Sequence, residues 1–179
     1  MKKFSKLITV LLFIIVLLKC ATGGVPLRRI VEVNEEEHKG KEVAAFVGIE
    51  EKIGSPKALN KFFIRSWIVK ENGGLLHQIY AQYGYVGKKW EFYTKAYNQE
   101  GQALQTVEIH HDLEDYESIN IYHEEIGITI PDEYLRSHLN GFTIKVTSLR
   151  GDSFVINVTP EQIKSQLTKI QEYKKLHNL

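Results

Sequence analysis

One cysteine and one methionine in 179 residues leave this chain little sulfur chemistry. The cysteine, Cys20, lies in the N-terminal segment, so the remainder can form no disulfide and offers no thiol nucleophile. Other catalytic signatures are missing too. There is no G-x-S-x-G elbow, no G-x-G-x-x-G fingerprint and no Walker sequence. No basic stripe with interleaved aromatics runs along the chain, and no internal repeat or low-complexity segment appears. A domain without staples is held by its core, and a chain 43% hydrophobic and 25% charged has enough apolar material for one.

What is present begins with a leader. Lys2, Lys3 and Lys6 precede an apolar run from Leu7 to Leu18, broken only by Thr9. As a helix that run spans about 18 Å, short of a bilayer core of about 30 Å. A secretory signal over residues 1–20 is therefore expected, with a permanent N-terminal anchor as the other reading. Cys20 stands where a bacterial lipoprotein carries its lipid. Leu17-Leu18-Lys19-Cys20 fits a lipobox at its first position and departs from it at Lys19, while Ala21-Thr22-Gly23 offers a rival cleavage site. Lipidation of Cys20 and simple secretion both stay open. The leader holds Lys2, Lys3, Lys6 and Lys19 and no acid, so the formal charge falls from +1 for the whole chain to −3 without it. A weakly acidic domain is a poor match for nucleic acid.

Beyond the leader, residues 21–41 read as a linker holding a short strand from Leu27 to Val33, with Glu35-Glu36-Glu37 in a solvated turn. Residues 42–179 read as one β-rich domain. Strands are expected over Val43 to Ile49 and Phe62 to Val69, with a one-turn helix started by Ser55-Pro56 between them. Asn72-Gly73 turns the chain back into Leu75 to Tyr85. An aromatic meander follows, Gln78 to Tyr85, Lys89 to Tyr97 and Gln102 to His110, expected as the middle of one antiparallel sheet. On its last strand Val107, Ile109 and His111 share one parity. Asp112 to Glu117 reads as an acidic loop, and Ile119 to Tyr122 and Ile126 to Ile130 as short strands. Pro131-Asp132-Glu133 opens a short helix ended by Asn140-Gly141. Phe142, Ile144 and Val146, then Phe154, Ile156 and Val158, alternate as a hairpin with one apolar face. Thr159-Pro160-Glu161-Gln162 is a capping box, and Ile163, Leu167 and Ile170 form the stripe of a last helix.

Several constellations invite a chemical reading. His110, His111, His123 and Glu124 would form a zinc-like site if their strand ends meet, but adjacent residues on a strand face opposite ways, so His110 and His111 cannot both ligate. Rings of His111 and His123 within about 5 Å, beside a carboxylate, would favour a hydrolase. Glu114, Asp115, Glu117, Glu124 and Glu125 would supply paired acids, and equally an ordinary polar surface. Arg150-Gly151-Asp152 spells an integrin tripeptide where a hairpin tip is expected, and turn chemistry accounts for it. Asn157-Val158-Thr159 matches a glycosylation sequon and also a strand end plus helix cap. Tyr80, Tyr83, Tyr85, Trp90, Tyr93 and Tyr97 are candidates for a ligand surface, since rings alternating along strands cannot all point inward.

Trp90-Glu91-Phe92-Tyr93, Gly101-Gln102-Ala103-Leu104, Ile130-Pro131-Asp132-Glu133-Tyr134-Leu135 and the hairpin running into Pro160-Glu161-Gln162-Ile163 resemble a group of uncharacterised bacterial exported proteins and lipoproteins. The resemblance spans about residues 90–167. It implies export and a β-rich domain, and it supplies no activity, cofactor or site residue.

The reading is a mainly β fold: an antiparallel β-sandwich of about eight strands, with a short helix before the last hairpin and a C-terminal helix. A lipocalin-like barrel is the alternative. The expected function is non-catalytic, in the periplasm or on a membrane through a lipid at Cys20. There the protein would bind a protein or ligand partner through its β surface, with no cofactor. A small metal-assisted hydrolase and a barrel carrying an apolar ligand are the other readings.

Overall fold

The computed structural model describes residues 27–38, 40–54, 60–116 and 119–179. The leader, Cys20 and the Ser55-Pro56 helix start lie outside the described residues.

Alternation makes the strands, and two sheets bury their apolar faces against each other. The large sheet is antiparallel, in the order β1 (Glu32–His38), β2 (Lys41–Val47), β4 (Lys61–Val69), β5 (Leu75–Val86), β9 (Ile119–Ile130), β8 (Thr106–Tyr116), with the short β3 (Glu51–Lys52) also on β4. The small sheet runs β11 (Ser153–Val158), β10 (Phe142–Ser148), β6 (Tyr93–Asn98), β7 (Ala103–Leu104). Helix α1 (Asp132–Ser137) leads into β10, and α2 (Pro160–His177) closes the chain. This is the expected antiparallel sandwich with its two helices. Both sheets are open, so the barrel alternative is set aside.

The core lies between the layers. Ile64, Ile79 and Ile128 stand side by side on β4, β5 and β9 and meet Ile144, Val146 and Ile156 of the small sheet. Leu135 of α1 and Ile163 and Leu167 of α2 complete that cluster. Further along α2, Ile170 joins Ala44, Phe46 and Ile68, so the helix covers the part of the large sheet that the small sheet leaves bare. Thr159 and Gln162 cap α2 reciprocally (3.1 and 3.2 Å), as the capping box predicts.

Five expectations need correction. The segment read as a linker with an acidic turn carries β1, paired from Glu32 to His38 along β2. The strand lies C-terminal to the expected one and contains Glu35, Glu36 and Glu37. As a sheet edge, it gains from charge that discourages pairing with other chains. The aromatic meander is not a run of neighbouring strands. β5 pairs with β4 and β9, the chain crosses to the small sheet as β6, and it returns as β8 beside β9. Alternation reports which way a side chain faces, not which strand lies beside it. Asp112 to Tyr116 belongs to β8 rather than to a loop, and the two short strands around Glu124-Glu125 are one strand, β9. A bulge between Glu108 and His110 breaks the shared parity, placing Val107 opposite Gly127 but His111 opposite Glu124.

Candidate binding face and buried polar sites

The histidines expected to converge are kept apart. His111 pairs with Glu124 and His123 with Asp112, so the two imidazoles occupy opposite faces of the large sheet. His111 packs on Trp90, ring centroids 4.9 Å apart, and lies 3.6 Å from Glu124. His123 lies 3.6 Å from Glu114 on the other face. His110 is exposed opposite Glu125. Among the described residues no group of three or more His, Cys, Asp or Glu side chains is placed to hold a metal ion. The hydrolase geometry is therefore not assembled.

The six candidate aromatics also divide. Tyr83 stacks on Phe154 at 4.2 Å, Tyr85 on Tyr122 at 5.5 Å, and Tyr93 packs edge-on against both Tyr83 and Phe154 between the sheets. Trp90 lies against His111 and Tyr122. Tyr97 faces outward on the small sheet, beside a shallow depression of about 460 Å³ lined by Thr143, Lys145, Thr147 and Val155. Tyr80 alone of the six lies on the outer face of the large sheet, opposite Phe63.

There it belongs to a continuous stack. On β4 the even residues, Phe62, Ile64, Ser66 and Ile68, are buried, so Phe63, Arg65 and Trp67 point outward. The Arg28 guanidinium lies 5.5 Å from the Phe63 ring centre, and Phe63 stacks on Tyr80 at 4.8 Å. Arg65 lies over Tyr80 at 5.3 Å and over Trp67 at 5.0 Å. Trp67 Nε1 donates to Glu36 at 2.9 Å. Gln78 Oε1 accepts from Arg65 Nε at 2.8 Å and also from Nη2. That amide needs Gly127 next to it, because a β-carbon there would stand 2.4 Å from the Gln78 side chain. Among the described residues Arg65 has no carboxylate at salt-bridge distance, in contrast to Arg28, which meets Glu32 at 3.1 Å and Glu50 at 3.4 Å. Burial lowers the Arg65 pKa, against the opposing fields of Tyr80, Glu36 and Glu125. Burial, with a hydrogen bond to Glu125, pushes the Tyr80 phenol well up. The result is a half-buried row of rings and guanidinium groups, ordered by cation–π contact and amide hydrogen bonds.

Two polar sites lie inside. Glu124 is buried, and its carboxylate accepts from the backbone N–H groups of Glu91 (3.1 Å), Phe92 (3.0 Å) and Tyr93 (2.8 Å) and from Tyr85 Oη (2.6 Å). Phe92 takes a positive φ of 58°, which turns these donors toward one point. This carboxylate pins the crossing from β5 to β6. The second site joins Ser66, His77 and Asp132, with Ser66 Oγ 2.7 Å from His77 Nδ1 and His77 Nε2 2.9 Å from Asp132 Oδ1. These are the residue types of a nucleophilic triad, but Ser66 is fully buried and its oxygen already accepts from Gln166 Nε2 at 2.9 Å. No attacking oxygen is presented.

The Ser66, His77 and Asp132 site and the arginine stack are not among the sequence candidates, though both leave a trace, while Glu124 and Tyr80 are candidates there in other groupings. Ser66 and His77 are polar residues on core parities of β4 and β5. Phe62 to Trp67 is bulky on both parities, which marks a strand with two occupied faces.

Arg150-Gly151-Asp152 is a turn whose side chains serve the fold. Gly151 has a φ of 93°, Arg150 Nε donates to the Trp90 carbonyl at 2.6 Å, and Asp152 accepts from Tyr93 Oη. Asn157 is exposed on β11, and Thr159 of the same sequon is the α2 cap. In comparison with known proteins, no family description, curated protein or solved structure matches this chain.

Proposed function

We propose that this chain is an exported, non-catalytic envelope protein that binds a partner or ligand through the outer face of its large sheet. The observation that carries the reading is the stack of Arg28, Phe63, Tyr80, Arg65 and Trp67. Ordering large rings and guanidinium groups costs side-chain entropy. The core, on the opposite face, gains nothing from that ordering. Rigid aromatic and arginine side chains are what central contacts of protein interfaces are built from. The leader and the resemblance to exported proteins support delivery to the envelope, with the chain held by a lipid on Cys20 or released by cleavage near Gly23. The weakly acidic remainder argues against nucleic acid as the partner.

The test is capture from the native envelope fraction by the unmodified protein and by a Trp67→Ala, Tyr80→Ala double variant. A component retained by the first and lost from the second supports the reading, and equal recovery defeats it. Mass spectrometry of the processed N-terminus addresses delivery separately. Diacylated Cys20 or a free end near Gly24 is expected, and an intact Met1 would refute both routes.

A further inference from the structure

The Ser66, His77 and Asp132 chain has a consequence that the outer face does not. Four elements meet at it: Gln166 from α2, Ser66 from β4, His77 from β5, and Asp132 from α1, whose other oxygen accepts from Arg136 Nε at 2.8 Å. Ser66, His77 and Gln166 have no solvent exposure. Proton counting fixes the order of donation. The Asp132 carboxylate can only accept, so the proton of a neutral ring sits on Nε2 and goes to it. His77 Nδ1 then accepts the single Ser66 proton, while the Ser66 oxygen accepts from Gln166. All of these donors are satisfied only while the ring is neutral.

A second ring proton places a donor on Nδ1 against the Ser66 donor. The hydroxyl must then turn, and the buried acceptor beside it is Gln166 Oε1, which has no hydrogen-bond partner. Presenting Oε1 requires the amide to rotate, which takes Nε2 off the Phe46 carbonyl, now 3.1 Å away. The charged groups facing the ring are Asp132 and Arg136 from α1 and Lys174 from α2, while Ser66 on β4 and Ile130 on β9 bring no charge. One anion thus opposes two cations and complete burial.

We propose that His77 is an acid-sensitive latch whose protonation loosens α1 and α2 together from the large sheet. Burial, chiefly, holds the ring's pKa below its ordinary 6.5, against the upward pull of Asp132. The sign follows. The unfolded or opened chain binds the proton first, so the latch is whole above 6.5 and weakens as pH falls toward the folded-state value.

The experiment follows amide exchange in α1 and α2 of the full chain in detergent micelles from about pH 8 to about pH 4.5, corrected for intrinsic rates. Ring nitrogen and carbon NMR of His77 accompanies it. Expected are an Nε2–H tautomer at high pH and a joint fall in protection of both helices below 6.5, approaching about tenfold per pH unit. In His77→Gln that fall disappears. Asp132→Asn, which keeps the histidine if His77→Gln does not fold, moves the ring midpoint to lower pH. The latch is overturned if His77 titrates at or above 6.5, if the helices stay protected through its titration, or if His77→Gln shows the same loss.

Discussion

Glu124 and His77 are both buried on the inner side of the large sheet, and they are held in opposite ways. Glu124 faces three backbone N–H groups that can neither rotate away nor change protonation. His77 faces a hydroxyl, a carboxylate and, through Ser66, an amide, all of which can turn or titrate. The first arrangement is a permanent fastening. It holds the crossing that converts one run of aromatic strands into two sheets. The second is conditional, since its hydrogen bonds are complete for one proton count only. A buried polar group specifies a fold most firmly where its partners are main-chain atoms, because those positions are already set by the strands that carry them.

The strongest way to break the comparison is Glu124→Ala. It strands the Phe92 and Tyr93 N–H groups and the Tyr85 hydroxyl proton, leaving the Glu91 N–H only the Tyr85 oxygen at 2.6 Å, and a loss of more than about 3 kcal/mol in urea unfolding is expected. A loss below about 1 kcal/mol would show that the crossing is held by its aromatics instead. The His77 arm predicts that stability falls on acidification below 6.5, with a slope approaching about 1.4 kcal/mol per pH unit between the unfolded and folded values. Unfolding midpoints across that window check it, and a flat profile contradicts it.

Outer-face substitutions should matter less to stability. Gly127→Ala drives a β-carbon into Gln78 and frees Arg65, at about 1 kcal/mol, and should weaken partner capture while leaving the acid slope intact. Smallest is Thr159→Ala, which removes the α2 cap at about 1 kcal/mol or less. It lowers stability equally at every pH, because it loosens the helix without touching the relay. A changed acid slope in this variant would mean that helix docking, rather than the His77 proton, sets the pH response.

Local chemistry was read well where it is self-contained. The Thr159 to Gln162 box starts α2, Asn72-Gly73 turns β4 into β5 with Gly73 at a φ of 67°, and the alternation from Phe142 to Val158 is the β10–β11 hairpin. Misreadings arose where a decision rests on pairing. Nothing in the residues from Gln78 to His110 says that β5 lies beside β9 and that β6 belongs to another layer. His111 and His123 look like neighbours along the chain, yet the β8–β9 register sends them to opposite faces. Tyr83, Tyr85 and Tyr93 read as surface candidates and are packed between the sheets: Tyr83 and Tyr85 share the inward parity of Ile79 and Ala81 on β5, and the crossing brings Tyr93 over them.

Composition, alternation and turn residues were enough to settle that this chain makes two-faced antiparallel strands closed by a capped helix, since those choices are made within a few residues. The three-dimensional packing alone decided that Glu124 meets the Glu91–Tyr93 amides, that Ser66 meets His77, and that Arg65 lies between Tyr80 and Trp67. Period-two patterning assigns a side chain to a face without naming its neighbour across the ladder. Partners distant in sequence are selected only when whole sheets bury their apolar sides together.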